Sequence, residues 1–285
     1  MAIAVTGATG QLGGLALEAL TASGQRPADL VAVVRDPARA TALAERGIEV
    51  RTADYDDPDA LLKAFQGVER LLFVSASEPG RRLEQHRNVV EAAVAAGVGH
   101  LVYTSAPHAD SSDLVLAPDH KATEELIKES GLPATILRNN WYTENYAAQL
   151  DEARNTGAIT AAAGEGRVAS ASRADFAAAA AAVLTGDDHA GKVYELAGDT
   201  AWTYADLAAA LGEVVGREVV YRPVAPADLT QKLITAGLDE PTAGFVAALD
   251  ANIAAGALDD TGDRTLSRLL GRPTTPLLEG LRALS

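Results

Sequence analysis

The stretch Val5-Thr6-Gly7-Ala8-Thr9-Gly10-Gln11-Leu12-Gly13 sets three glycines at three-residue intervals between an apolar run at 3–6 and a helical pattern that opens at Gln11. Inside regular structure a glycine costs up to about 1 kcal/mol relative to alanine, so three at fixed spacing imply a use. At a strand-to-helix junction that use is specific. Gly7 makes the turn, Gly10 lets the backbone approach a ligand closely, and Gly13 lets the helix pack against the strand. The N–H groups of the first helical turn, with the positive end of the helix dipole behind them, then face an anion such as a pyrophosphate. A tight turn without a ligand is the plainer alternative, and position and spacing speak against it.

The rest of the chain is consistent with that opening. Short β-branched runs at 3–6, 30–34, 48–52, 70–74, 100–104 and 134–137 alternate with helical stretches at 11–23, 37–46, 58–66, 80–97 and 118–130. Such alternation predicts right-handed βαβ crossovers, hence an α/β fold with a Rossmann-type doubly wound parallel sheet. Asp36-Pro37 and Asp57-Pro58 place an N-cap acceptor before a proline at the first helical position, while Gly24, Gly47, Gly67, Gly97 and Gly131 fall where helices should stop. Beyond residue 150 the rhythm loosens into a helix at 173–184, a strand at 192–196 and a helix at 203–215. The expected division is a nucleotide-binding domain over 1–150 and a smaller C-terminal α/β lobe over 151–285, with some of its segments returning to the first domain. The alanine run at 177–182 carries Phe176, Val183 and Leu184 beside it, which makes it a closely packed helix.

Composition narrows the function. With 39 acidic against 24 basic residues the net charge is −15, so the overall field repels nucleic acid and anionic membranes. There is no cysteine, which removes disulfides, thiolate catalysis and cysteine metal sites, and the five histidines show no ligand spacing, so no metal is expected. The first residues leave no room for a signal peptide and no apolar run approaches a membrane span, so a cytoplasmic protein is expected. A homo-oligomer is compatible with all of this.

Where the second strand ends, Arg35 precedes Asp36. Asp36 is committed to capping, which leaves Arg35 to pair a ribose 2′-phosphate with its planar fork or to stack on adenine. NADPH is therefore favoured over NADH, although an ordinary surface arginine would look the same. Asp54-Tyr55 after the third strand could flank the adenine or merely cap a turn, and Ser75-Ala76-Ser77 ends the fourth strand at the carboxyl edge where ligands of open α/β sheets bind. None of the tyrosines at 55, 103, 142, 146, 194, 204 and 221 has lysine four residues later. The Tyr-x-x-x-Lys pair with which short-chain dehydrogenases protonate an alkoxide is thus missing. A ketone that accepts hydride needs such a donor, whereas a quinone becomes a delocalised phenolate that a weak donor can protonate later. The segment Arg138-Asn139-Asn140-Trp141-Tyr142-Thr143-Glu144-Asn145-Tyr146 gathers amides and aromatic rings suited to a carboxamide and a flat ring. Tyr142, His108 and His120 are the candidate catalytic side chains, each weighed against a core, surface or capping role.

These residues together resemble the NmrA-like branch of atypical short-chain dehydrogenases, and within it the bacterial type 2 NAD(P)H:quinone oxidoreductases. The likeness runs over nearly the whole length, through Val5 to Gly13, "VRDPARA" at 34–40, "ADY" at 53–55, "QHRNVVEAAVAAGVGHLVYTS" at 85–105, "LRNNWYTENY" at 137–146, "ASASRAD" at 169–175 and "KVYELAGD" at 192–199. The resemblance implies NADPH held by Gly7, Ala8, Thr9, Gly10, Gln11, Leu12, Arg35, Ser75, Ala76, Ser77, Asn139, Asn140, Trp141, Tyr142, Thr143, Glu144 and Ser170. It further implies hydride transfer to a quinone without flavin, in a cleft between two lobes. Regulatory relatives bind the dinucleotide and sense its redox state, so a sensor with little catalysis is the alternative, and another conjugated acceptor such as an enone also stays open. Larger relatives carry a lysine where this chain has His120, with Lys121 beside it.

Overall fold

A computed structural model describes residues 1–78 and 80–285. The chain begins with β1 (Ile3–Thr6), α1 (Gln11–Ala22), β2 (Leu30–Val34), α2 (Thr41–Glu45), β3 (Glu49–Thr52), α3 (Pro58–Ala64), β4 (Arg70–Phe73), α4 (Arg82–Ala96), β5 (His100–Ser105), α5 (Ala117–Ser130) and β6 (Ala134–Asn139). It continues with α6 (Ala147–Thr156), β7 (Ala158–Ala161), β8 (Arg167–Val168), α7 (Arg173–Thr185) and β9 (Val193–Leu196). The last elements are β10 (Trp202–Thr203), α8 (Tyr204–Val215), β11 (Val220–Pro223), α9 (Pro226–Thr235), α10 (Glu240–Ala254), α11 (Thr265–Leu270) and α12 (Leu277–Arg282). Two compact units result: Met1–Ala109 with Pro118–Asn139 and Arg173–Glu195, and Asp110–Ala117 with Asn140–Ser172 and Leu196–Ser285.

The first unit is built on a seven-stranded sheet of order β3-β2-β1-β4-β5-β6-β9, and β1 pairs in parallel with both β2 and β4. The order of its first six strands is the doubly wound one, with the reversal of winding between β1 and β4. Every residue of β1 and β2 is buried, as expected of parallel strands covered by helices on both faces. The two edge strands are more open, β3 exposing Glu49 and Thr52 and β9 exposing Val193. One face of the sheet packs Phe65, Leu71, Phe73, Val89, Leu101 and Tyr103 into a single apolar core.

The local signals act as their chemistry predicts. Asp36 Oδ1 accepts from the Ala38 N–H at 3.0 Å, and Asp57 Oδ1 from Ala60 at 2.9 Å. The helix expected at 37–46 divides into a 3-10 turn at Pro37–Ala40 and the short α2, because the Ala40 backbone leaves the helical region. The alanine-rich α7 packs on α1 and is buried on nearly every side, wider than the stripe its apolar residues suggest. Arg70 closes its C-terminal end, its guanidinium donating to Leu184 O of the last turn at 2.5 Å and to Gly186 O just beyond the helix at 2.8 Å.

The second unit combines a parallel β7–β11 pair with an antiparallel β8–β10 pair. Ala162, Leu229 and Ala247 form a small core, and Tyr146, Trp202, Tyr204 and Tyr221 form a chain of ring contacts. Among the described residues no helix is long and apolar enough to cross a membrane.

The β1–α1 junction is the tightest passage of the first unit. A Cβ on Gly13 would stand 2.3 Å from Gly7 O, whereas one on Gly14 would meet nothing nearer than Ala8 O at 3.6 Å. Gly13→Ala should therefore cost about 1–3 kcal/mol by forcing helix and strand apart, while Gly14→Ala should be neutral or stabilising by up to about 1 kcal/mol. Urea unfolding of the two variants against the parent checks the contrast.

Candidate active site

Gly7 takes the left-handed conformation at φ +57, and its carbonyl accepts the N–H of Gly10 at 2.8 Å. A Cβ on Gly10 would already lie 3.0 Å from that carbonyl. The bend delivers the chain into α1 with no side chain capping the helix, so its first-turn N–H groups are left for a ligand. Thr9, Gly10, Gln11, Leu12 and Gly13 line the cleft that opens there, together with Gly7. Ala8 differs from its neighbours. It is buried, and its N–H is directed to Val33 O at 3.4 Å.

The cleft measures about 510 Å³ and runs over the carboxyl ends of β2, β1 and β4. Arg35, Asp36 and Arg39 line it beyond β2, and Asp54 and Tyr55 beyond β3. Arg35 is exposed, with Nη1 3.1 Å from Glu78 Oε1 and Nε 4.0 Å from Asp54 Oδ2. Asp54 lines the cleft and caps the turn after β3, its Oδ1 accepting the Asp56 N–H at 3.1 Å. The Tyr55 hydroxyl donates to Val74 O at 2.7 Å and lies 2.5 Å from Thr6 Oγ1. Burial pushes that phenol well above its ordinary range, so it stays a neutral wall.

The third wall is Ser75-Ala76-Ser77 after β4. The Ser75 N–H donates to Thr104 Oγ1 at 2.9 Å, the Ala76 N–H to His86 Nε2 at 2.9 Å, and Arg82 Nε to Ala76 O at 2.8 Å. Because a backbone N–H can only donate, His86 must be neutral with its proton on Nδ1, which faces Thr123 Oγ1 at 2.8 Å. The neighbouring Tyr103 hydroxyl shares a 2.8 Å hydrogen bond with Nδ1 of His120. His120, a sequence candidate for catalysis, is thus buried against Tyr103, whose ring in turn meets His86 and Phe73. Burial lowers both imidazoles to about 3, with His120 and then Arg82 adding to the effect at His86, and Arg82 at His120.

Gln85 completes this side. Its amide nitrogen donates to Glu78 Oε2 at 3.1 Å and Asp56 Oδ2 at 3.4 Å, and among the described residues its buried amide oxygen has no partner. An orphaned acceptor, two arginines and an uncapped helix start suit a polyanionic ligand that also carries N–H donors, as an adenine dinucleotide does. Sequence reasoning missed Arg39, Gln85 and His86. Gln85 and His86 fall on the buried stripe of α4 with Val89, Val90 and Ala93, a 3.6-residue period that marks a polar pair on a core face.

At the carboxyl ends of β5, β6 and β9 lies a second polar group. His108 has φ 47, its N–H donates to Glu195 Oε2 at 3.1 Å, and its Nδ1 lies 3.4 Å from Glu195 Oε1. Arg138 joins Glu195 at 2.9 Å to Glu124, which it holds through Nε at 3.0 Å and Nη2 at 2.6 Å, and Ser105 Oγ donates to Glu124 at 2.5 Å. Asn139 is buried at the last position of β6.

The remaining sequence candidates belong to the second unit, where a parallel bridge between Tyr142 and Ala171 brings 140–144 beside Ser170. Asn140 Nδ2 donates to Leu258 O and Asp260 O, and its Oδ1 accepts the Trp141 N–H at 2.6 Å. Thr143 and Ser170 share a 2.9 Å hydroxyl contact, and Ser170 also accepts from the Trp202 indole at 3.1 Å. Trp141, Tyr142 and Glu144 are half-buried. Among the described residues no group of three or more metal-ligating side chains is assembled.

The neutral histidines carry a pH dependence. Between about pH 3 and pH 6.5 the unfolded chain binds protons at positions 86 and 120 that the folded chain refuses, so stability rises with pH through that window and falls on acidification. Each contributes up to about 1.4 kcal/mol per pH unit. Thermal melts should show the midpoint dropping from pH 7 to pH 5, and His120→Gln should flatten that drop.

A family model described as NAD(P)H-binding matches residues 7–187. Quinone oxidoreductase 2 of Escherichia coli is 50% identical over 279 residues, spanning 98% of this chain and 97% of that protein. The crystal structure of the NADPH-dependent quinone oxidoreductase QOR2 from Escherichia coli complexed with NADPH superimposes with a TM-score of 0.95 over 99% of both chains. An NmrA-like family domain-containing oxidoreductase of Aspergillus flavus is 32% identical over 98% of this chain and 94% of its own. The Citrobacter triphenylmethane reductase complexed with NADP(H) has a TM-score of 0.95 and 41% identity over the full length of both chains.

Proposed function

The chain belongs to the NAD(P)H-binding family, and on that premise we propose that it is an NADPH-dependent quinone oxidoreductase that passes hydride to its acceptor without flavin. The observation that carries the reading is the uncapped start of α1 beside Gly7 and Gly10, in one cleft with Arg35 and Arg39. The 50% identical Escherichia coli enzyme and its NADPH complex support it. Bound there, NADPH supplies a hydride equivalent from its nicotinamide ring.

The chain's own groups then have defined tasks. The first-turn N–H groups of α1 hold the diphosphate, and the helix dipole adds to the attraction. Arg35 and Arg39 hold the 2′-phosphate, for which Arg35 exchanges Glu78. NADH, lacking that phosphate, leaves the Arg35–Glu78 pair closed and is the poorer donor. Ser75 to Ser77, fixed by Thr104, His86 and Arg82, keep the rest of the dinucleotide in line along the strand ends. Without a Tyr-x-x-x-Lys pair the chain favours an acceptor whose reduced form is a stabilised phenolate, and positioning supplies much of the rate. The acidic, cysteine-free composition fits a cytoplasmic setting.

Mixing the protein with NADPH and a benzoquinone should bleach the NADPH absorbance. Binding of both NADP+ and NADPH with no turnover on several quinones would replace the reading by a nucleotide sensor. Arg35→Ala should weaken NADPH about 10- to 100-fold, about 1.4–2.8 kcal/mol, and leave NADH within about threefold. Fluorescence titration with each nucleotide checks the difference.

A further inference from the structure

The two arginines of the cleft are not equivalent. Arg35 is already held, with Nη1 3.1 Å from Glu78 Oε1 and Nε 4.0 Å from Asp54 Oδ2. Arg39, four residues on and lining the same cleft, has no ion pair among the described residues. One guanidinium is engaged and the other is open.

An exposed ion pair is commonly worth little, because two long side chains must be ordered to make it. The pair at Arg35 differs in how its acid is carried. Glu78 divides its carboxylate: Oε2 accepts from the Gln85 amide at 3.1 Å and lies 3.8 Å from Arg81 Nη1, while Oε1 is presented to Arg35. Gln85 is buried to 3% exposure on α4 and gives a second hydrogen bond to Asp56 Oδ2 at 3.4 Å. Arg81 is fixed in turn by Asp56 at 2.8 Å. A carboxylate anchored through one oxygen keeps the other in place with little further loss of side-chain entropy. To the guanidinium, that second oxygen is an anionic acceptor of the same kind as a phosphate oxygen.

We propose that Glu78 is a specificity-determining residue of the nucleotide site, a resident competitor that occupies Arg35 whenever no 2′-phosphate does; this rests on the functional reading above. The competition weakens the hold on NADPH and NADP+ alike. It leaves NADH and NAD+ untouched, because neither engages Arg35. Arg39 keeps the site receptive to an arriving phosphate, and Arg35 joins once the phosphate displaces Glu78 Oε1. Gln85 and Arg81 keep the displaced carboxylate near, so it returns to Arg35 as NADP+ departs and assists exchange of the nucleotide after each turnover. Selectivity for the phosphorylated nucleotide is thereby held below what two free arginines would give.

The test is calorimetric titration with NADP+ and NAD+, which differ only by the 2′-phosphate and are not consumed without an acceptor. Glu78→Gln keeps the length of the side chain and removes its charge. It should tighten NADP+ at least twofold and up to about fivefold, the ceiling of an exposed pair, and leave NAD+ within twofold. Glu78→Ala, which also removes the tether, should show the same selective gain. Repeating Glu78→Gln in an Arg35→Ala background separates competition from plain repulsion of the phosphate: competition for the guanidinium predicts that the gain disappears, and repulsion predicts that it stays. A gain below twofold for NADP+ in both variants, an equal gain for NAD+, or an undiminished gain in the Arg35→Ala background overturns the proposal while the NADPH reading stands. A wild type that holds NADP+ no more tightly than NAD+ overturns the NADPH reading, and the proposal falls with it.

Discussion

The contact between the first turn of α1 and the Gly7 carbonyl governs the rest of the molecule. With hydrogen at position 13 the helix sits against the strand, and a single methyl there would come within 2.3 Å of Gly7 O. That approach fixes the direction of α1. It thereby aims the helix's unpaired N–H groups over the carboxyl edge of the sheet, where the reversal between β1 and β4 opens a crevice. Fold and anion site are one geometric fact, since the backbone donors that cannot be satisfied within the helix are the ones a diphosphate satisfies.

The crevice needs a second wall, and that wall is held from the core. Ser75 to Ser77 have no regular structure of their own. They depend on His86, which can accept the Ala76 N–H only while neutral. The fold secures neutrality by burial, at the expense of acid stability. His120 is part of the same solution. Its ring fills the space beside Tyr103 and His86, so its contribution to the site is made through packing and hydrogen bonding inside the first unit.

Features set by neighbours along the chain were legible in the sequence. The glycine triplet, the Asp-Pro caps at 36 and 57 and the alternation of strands with helices each depend on residues a few positions apart, and all appear where expected. Features set by approach across the sheet were not. Nothing near Arg35 announces that Glu78 will pair with it, and nothing near His108 announces Glu195, because these pairs are separated by 43 and 87 positions. From the sequence, His120 at a helix start is open to a catalytic, surface or capping reading, because a lone imidazole carries no sign of its direction. The spacing Ala117, His120, Thr123, Ile127 is nevertheless the buried stripe of α5, and reading it as such places the ring inside.

Charge explains how a protein of net −15 can favour a polyanionic nucleotide. Over distances longer than about 8 Å physiological salt screens the repulsion, and what remains is local. At the β2 end the local balance is a chain of alternating signs, Arg35 to Glu78 and Glu78 to Arg81, with Arg81 2.8 Å from Asp56. Arg35 bonded to Glu78 is a poor site for a phosphate until the glutamate yields, yet Glu78 keeps other partners in Arg81 and Gln85 when it does. The exchange therefore strands no charge. On the proposed reading, a 2′-phosphate would gain a bidentate guanidinium at the loss of one exposed ion pair, worth about 0–1 kcal/mol, whereas a bare ribose hydroxyl would have nothing to offer in return.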